Sequence, residues 1–246
     1  MAVSVDTVYQ RVLAILNKEQ RGYVTPQQFN LFANQAQLDI FEQYFYDINQ
    51  FGRIPGNDTE FSDMLNILNE KISIFEVNDN MTYANNYWTP PADIYRMGTI
   101  VYKNTTEGFT LNPSATTTIE TFVEAERIEY NDFLYINQSA YTRPTNTRPI
   151  FIENSSGYKV YGNTELTSDV TCNYIKKPAE VVWGYQIVYG EALYDATTAT
   201  NFELHDSEET ELVVKILEFA GLNIEDIQMY QVANSMEQET NQQEKA

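Results

Sequence analysis

The residue pattern predicts an α+β protein: a helical bundle drawn from both chain ends, with a mostly antiparallel β domain inserted between them. Three observations carry this. Apolar residues recur at helical spacing through the first 70 residues. From about Lys71, Tyr, Thr, Val and Ile become frequent and Pro and Gly punctuate short runs. Near residue 190 the helical spacing returns. The expected segments are 1–70 for the N-terminal helices, 71–189 for the β domain, 190–240 for the C-terminal helices and 241–246 for a flexible polar tail.

Val5, Val8, Val12 and Ile15, widened by Leu16, form the stripe of a first short helix that ends by Gly22. A second helix opens with Thr25 as N-cap, Pro26 at the first helical position and Gln28 placed to complete a capping box. Wound at 100° per residue, Phe29, Phe32, Ala33, Ala36, Ile40 and Tyr44 gather on one side, whereas Leu31, Leu38, Phe41 and Phe45 gather on the other. The first stripe requires the chain's own core. The second is either buried in the same domain or faces another subunit, and the pattern leaves both open. Asp58 or Thr59 caps a third helix carrying Phe61, Met64, Leu65 and Leu68.

In the β region, "MGTIVYK", "PIFIE", "GYKVYG" and "DVTCNYIKK" read as strands, and a helical turn is expected within "FVEAERIEYNDFLYINQS". Toward the C-terminus Asp206 is the expected cap of a helix with Leu212, Val213, Ile216, Leu217 and Phe219 on its buried face and Gly221 as its stop. A last helix from about Ile224 carries Ile227, Tyr230, Val232 and Met236.

The 246 residues include 35 acids against 15 Lys and Arg, for a formal charge of -20. Such a surface does not grip nucleic-acid phosphates, although DNA can slide past it. Cys172 is the single cysteine, so no disulfide framework or cysteine-based metal cluster is expected. The first ten residues lack a basic stretch followed by an apolar core, and no run approaches 18 apolar residues, so neither a signal peptide nor a membrane span is expected. His205 is the only histidine, next to an expected helix cap, and reads as structural rather than catalytic or metal-binding. Phosphate-cradling glycine motifs are absent. No catalytic residue, cofactor or metal is expected. Carboxylates for glycoside chemistry are too abundant to single out a pair. Arg143, Arg148, Lys159, Lys176 and Lys177 make the later β region locally cationic, either as solvated positions or as the positive partner of an acidic surface on a neighbouring copy.

Residues 141–183, "YTRPTNTRPIFIENSSGYKVYGNTELTSDVTCNYIKKPAEVVW", resemble a pattern of head-to-tail connector proteins of tailed bacteriophages. A Pro-Ile strand, an "I-x-V-Y" strand and "Y-I-x-x-P" with a following Trp match at Pro149, Ile150, Val160, Tyr161, Tyr174, Ile175, Pro178 and Trp183. Gly162 stands where the pattern has Pro. The helical segments at 21–45 and 202–224 resemble those of connectors from crAss-like phages. The resemblance implies a non-enzymatic virion protein, a ring of twelve copies docked beneath the portal in the neck, through whose lumen genomic DNA passes without specific binding. Under it, Leu31, Leu38, Phe41 and Phe45 are expected at the subunit interface, and Ile227, Tyr230 and Met236 at the portal or next ring. The alternative reading is a tail-associated carbohydrate-binding or hydrolysing module. A third is a scaffold or assembly factor absent from the finished particle.

Overall fold

The computed structural model describes residues 3–18, 24–51, 64–108 and 117–223. The chain is α+β. Its helices and first strands run α1 (Val5–Lys18), α2 (Pro26–Phe51), α3 (Met64–Ser73), β1 (Glu76–Asn80), β2 (Thr82–Ala84), β3 (Tyr87–Thr89), β4 (Ile94–Gly108), β5 (Thr117–Glu124) and β6 (Glu126–Arg127). There follow α4 (Tyr130–Ile136), β7 (Ile150–Asn154), β8 (Gly157–Tyr161), β9 (Val170–Lys176), β10 (Tyr185–Val188), β11 (Glu191–Tyr194) and α5 (Glu209–Asn223). They divide into two compact units, Met1–Ile74 with Pro178–Ala246, and Phe75–Lys177.

In the first unit the valine stripe of α1 is fully buried at Val5, Val8 and Val12, while Ile15 is left at the surface. Helix α2 begins with the expected reciprocal box: the Gln28 N–H donates to Thr25 Oγ1 at 3.3 Å and the Thr25 N–H to Gln28 Oε1 at 3.1 Å. Its stripe of Phe29, Ala33, Ala36, Ile40 and Tyr44 is buried, and α3 and α5 both pack on α2. Leu212, Val213, Ile216 and Leu217 supply the buried face of α5 as expected. Two local expectations fail here. Helix α5 runs through Gly221 to Asn223, because a buried glycine within a packed helix need not terminate it. Helical structure also does not resume near residue 190: Tyr185–Tyr194 is a hairpin, and helical turns begin at Asp206 with a 3-10 turn capped by His205, whose side chain accepts from the Ser207 N–H. The expected cap and Phe61 before α3, the helix from Ile224 and the tail at 241–246 lie outside the described residues.

The second unit holds a four-stranded antiparallel sheet ordered β1-β9-β4-β5 and a five-stranded sheet ordered β2-β3-β8-β7-β6, in which only β6 and β7 run parallel. Both sheets contribute to one core: Ile100, Val170, Cys172 and Tyr174 from the first, Trp88, Phe151 and Val160 from the second. Alternation along β9 places Val170, Cys172 and Tyr174 inward in the manner of a half-buried strand. The Trp88 indole N–H donates to the Leu166 carbonyl at 2.9 Å, which satisfies the one polar atom of a buried ring. Burial pushes the Cys172 thiol up to about 11. Burial, aided by its hydrogen bond to Asp93 at 3.0 Å, pushes the Tyr174 hydroxyl up to about 12. Gly157 closes the β7–β8 turn at φ 133°, with Trp88 O only 2.6 Å from where a Cβ would stand, so no other residue fits there.

Candidate functional site

Helix α2 was expected to present Leu31, Leu38, Phe41 and Phe45 to a neighbour. Leu31 does lie open, with 72% of its surface exposed. Leu38 and Phe45 are half-buried. Phe41 is a correction: it is 0% exposed, edge-on to Phe45 at 5.2 Å, and belongs to the chain's own interior. Three amides share its side of the helix. Asn30, Asn34 and Gln37 occupy an arc about 80–140° from Phe29, and Phe41 falls at about 120° within that arc. Together the three amides hold an extended segment that covers this side.

The segment is 179–183. Asn34 Oδ1 accepts from the Val181 N–H at 2.8 Å and its Nδ2 donates to the Val181 carbonyl at 2.8 Å. Asn30 treats Trp183 the same way, accepting at 2.7 Å and donating at 3.5 Å. Gln37 donates to the Ala179 carbonyl at 2.8 Å and accepts from the Glu203 N–H at 3.2 Å. The other edge of the segment pairs Val182 with Thr200. The helix thus stands in for a neighbouring strand, with primary amides replacing peptide groups.

This anchoring positions the β10–β11 hairpin. Buried Trp183 meets Tyr9, Tyr185 and Tyr194 at centroid distances of 4.3, 5.9 and 5.7 Å, and its indole N–H donates to Asp6 at 3.0 Å. At the hairpin base a Cβ on Gly184 would lie 2.3 Å from Thr198 Oγ1, so the close approach requires glycine. The Asp195 carboxylate accepts from Thr197 Oγ1 at 2.7 Å, Gln186 Nε2 at 2.9 Å and the Thr197 N–H at 3.0 Å. These bonds, the Thr197 hydroxyl foremost, hold it down at about 2.

Beyond that base the hairpin carries an apolar surface outward. Tyr185, Tyr194, Ile187 and Ala192 share one face by their pairing. The tyrosines close on Trp183, whereas Ile187 is 73% exposed. Leu193, on the opposite face, is 54% exposed. At the tip the two-residue turn is Tyr189-Gly190, with φ values of 52° and 89°. Both signs suit a hairpin turn, but a bulky residue at positive φ is strained, and Tyr189 is fully exposed. Its ring makes no contact in the chain's core that would offset this strain.

The expected portal contacts Ile227, Tyr230 and Met236 lie outside the described residues. No described helix is long and apolar enough to cross a membrane. Lys159 is engaged locally, 3.8 Å from Glu165 and over the Tyr87 ring at 5.0 Å. No family model matches the chain, and no curated protein matches it. The functional reading therefore stands on the residues themselves.

The amide ladder and the hairpin were both missed from sequence. The first had a signal, amides at i, i+4 and i+7 on one arc of a helix otherwise rich in apolar residues. The second had alternating "YQIVYGEALY" around a glycine.

Proposed function

We propose that this chain is a non-enzymatic virion protein, a head-to-tail connector that forms a twelve-copy ring beneath the portal of a tailed phage and extends the DNA channel toward the tail. In this reading the unit built from both chain ends is the helical body of each copy, and the β unit is an insertion that carries outer contacts. The observation that supports it best is the β10–β11 hairpin. Two strands alone are marginally stable in water, yet here Trp183 and Asp195 brace a hairpin whose Ile187, Tyr189 and Leu193 face solvent. An apolar projection of this kind belongs against a neighbour in a ring. Leu31, and the half-buried Leu38 and Phe45 beside it, extend the contact along α2. The resemblance of residues 141–183 and of the terminal helices to connectors points the same way.

Charge fits the channel. Met1–Ile74 and Pro178–Ala246 together contain 23 acids against 7 Lys and Arg, whereas Phe75–Lys177 contains 12 against 8. An acidic lumen repels the DNA backbone and leaves it free to move.

The test is cryo-electron microscopy of the full chain mixed with the portal ring of its phage, with the chain alone run beside it for mass. A closed ring stacked on the portal is expected. Monomers that ignore the portal would shift the reading to a tail-associated carbohydrate-binding or hydrolysing module. For that alternative the cavity bordered by Glu126, Glu129 and Asp132 offers carboxylates near the exposed Tyr135.

A further inference from the structure

The second unit contains a short internal duplication, Thr142-Arg143-Pro144 and Thr147-Arg148-Pro149. Between the two copies the chain turns back on itself, the Thr145 N–H donating to the Arg148 carbonyl at 3.2 Å and the Arg148 N–H to the Thr145 carbonyl at 2.9 Å. Asn146 ties this turn to the rest of the unit, its Oδ1 accepting from the Asn163 N–H at 2.9 Å, and both prolines are buried. Across from the turn, α4 is seated by Phe133, whose ring stacks on Tyr161 at 4.6 Å. These two fixed walls border one cavity of about 600 Å³, within the range of small-ligand sites.

Its lining is mixed. Glu126, Glu129 and Asp132 come from the stretch of β6 and α4, and Arg143 and Arg148 from the turn. Opposite charges share the space, yet among the described residues none of these five side chains forms an ion pair, and their one hydrogen bond is long, from Arg143 Nη2 to the Asn137 carbonyl at 3.5 Å. Arg127 also lines the cavity, but its guanidinium is committed to Glu153 at 2.9 Å. A simple anion here meets the three carboxylates, and a simple cation meets the guanidiniums. An apolar ligand would strip water from all five charged groups and replace none of its hydrogen bonds. A neutral polyol answers both sets, because each hydroxyl donates to a carboxylate and accepts from a guanidinium. Tyr135 adds a further condition: it lines the same cavity, is 73% exposed, and stacks on no other aromatic ring among the described residues. A zwitterion would satisfy the charges but leave this ring uncovered, whereas a pyranose offers a face of C–H groups to lie on it.

We propose that this cavity binds a short neutral saccharide, one ring face lying on Tyr135 and the hydroxyls shared between Glu126, Glu129 and Asp132 on one side and Arg143 and Arg148 on the other. The inference is one of binding, not of cleavage. It is independent of the ring reading, since a connector copy and a tail-associated module present the same cavity. Buried prolines on the turn and the Phe133 stack under α4 hold both walls before a ligand arrives, which lowers the cost of ordering them.

The test is saturation-transfer nuclear magnetic resonance on the full chain with the methyl glycosides of glucose, galactose, mannose and N-acetylglucosamine, and with glucuronate and glycylglycine as charged comparisons. At least one neutral glycoside should receive saturation, and more strongly than either charged compound. Tyr135→Ala should reduce that signal roughly fivefold, the scale of one aromatic contact, whereas Tyr135→Phe keeps the ring and should leave it unchanged. Asp132→Asn with Arg148→Gln removes one group from each wall and should reduce the signal at least as much as Tyr135→Ala. These side chains are exposed, so the fold is expected to survive, as circular dichroism will verify. If none of the glycosides receives saturation, the proposal falls. Stronger transfer to glucuronate or glycylglycine also overturns it, assigning the cavity to a charged ligand. Transfer to a glycoside that survives every substitution places its binding elsewhere on the chain, and the proposal falls again. Whether the chain closes into a ring on the portal bears on none of these outcomes.

Discussion

Asn34 holds both backbone polar groups of Val181, accepting from its N–H and donating to its carbonyl at 2.8 Å each, across 147 positions of sequence. Val181 is 0% exposed, so water cannot replace the amide. Asn34→Ala should therefore leave a buried donor and a buried acceptor unpaired and destabilise the protein by about 2–4 kcal/mol. Urea unfolding followed by circular dichroism measures this, with the exposed Gln35→Ala as a control expected within about 0.5 kcal/mol of the unsubstituted chain. Equal effects of the two substitutions would mean that the 179–183 segment is held by packing alone.

What could be read from sequence divides along the same line. The box between Thr25 and Gln28, the valine stripe of α1 and the alternation of β9 are local, since each needs only neighbours within a turn or a strand. The role of Asn34 depends on a partner far away in the chain, and polar residues between two apolar stripes read as solvent-facing until that partner is known. Phe41 differs for a related reason: periodicity sets it apart from Phe29, yet it is buried as well, because the chain's own interior reaches this side of α2, where Asn30 and Gln37 hold a distant segment. The hairpin escaped because Tyr189-Gly190 is not among the usual residue pairs of its turn. Arg143 and Arg148 were recognised as locally cationic, but their meeting in one cavity required the turn between them.

Tyr189 separates folding from assembly. Asparagine tolerates positive φ far better than tyrosine, so Tyr189→Asn should stabilise the isolated chain by up to about 1 kcal/mol. The same change removes the exposed ring at the hairpin tip and should weaken ring formation. Thermal unfolding and sedimentation velocity, run on the same preparation, are expected to move in opposite directions. A variant that is more stable and assembles as well as before would show that the tip makes no contact.

Asp195 predicts an acid limit for the hairpin. Its carboxyl is held at about 2 against an ordinary value near 3.8, so the ionised form is favoured in the folded state. The stability it confers is fully present above about pH 4 and is lost as pH falls through about 2. The amide proton of Thr197, which donates to this carboxylate, should titrate with a midpoint near 2 when followed by nuclear magnetic resonance. A midpoint near 3.8 would mean that the hydrogen bonds to Thr197 and Gln186 do not persist in solution.

Cys172 offers a clock for the second unit. Its thiol is buried in the shared core and pushed up to about 11, so at pH 8 almost none of it is thiolate. A thiol reagent should modify it orders of magnitude more slowly in the native protein than in denaturant. The rate should accelerate along the urea transition of this unit. Rapid labelling under native conditions would show that the core formed by the two sheets opens readily.

Lys71 and Glu208 test the interior of the first unit. Lys71 Nζ lies 2.6 Å from Glu208 Oε1, with side chains 14% and 3% exposed, and Ser207 Oγ donates to the same carboxylate oxygen at 2.9 Å. Removing one partner of such a pair strands the other charge in a poorly solvated place. Lys71→Met should therefore destabilise the fold by about 3–5 kcal/mol. Replacing both residues removes the stranded charge along with the attraction, so Lys71→Met with Glu208→Leu should be closer to the unsubstituted protein than either single change. A double-mutant cycle by urea unfolding checks the ordering. If the double substitution is instead the worst of the three, each side chain stabilises the fold through contacts outside the pair, such as Lys71 Nζ over the Tyr44 ring at 5.6 Å and Ser207 Oγ on Glu208.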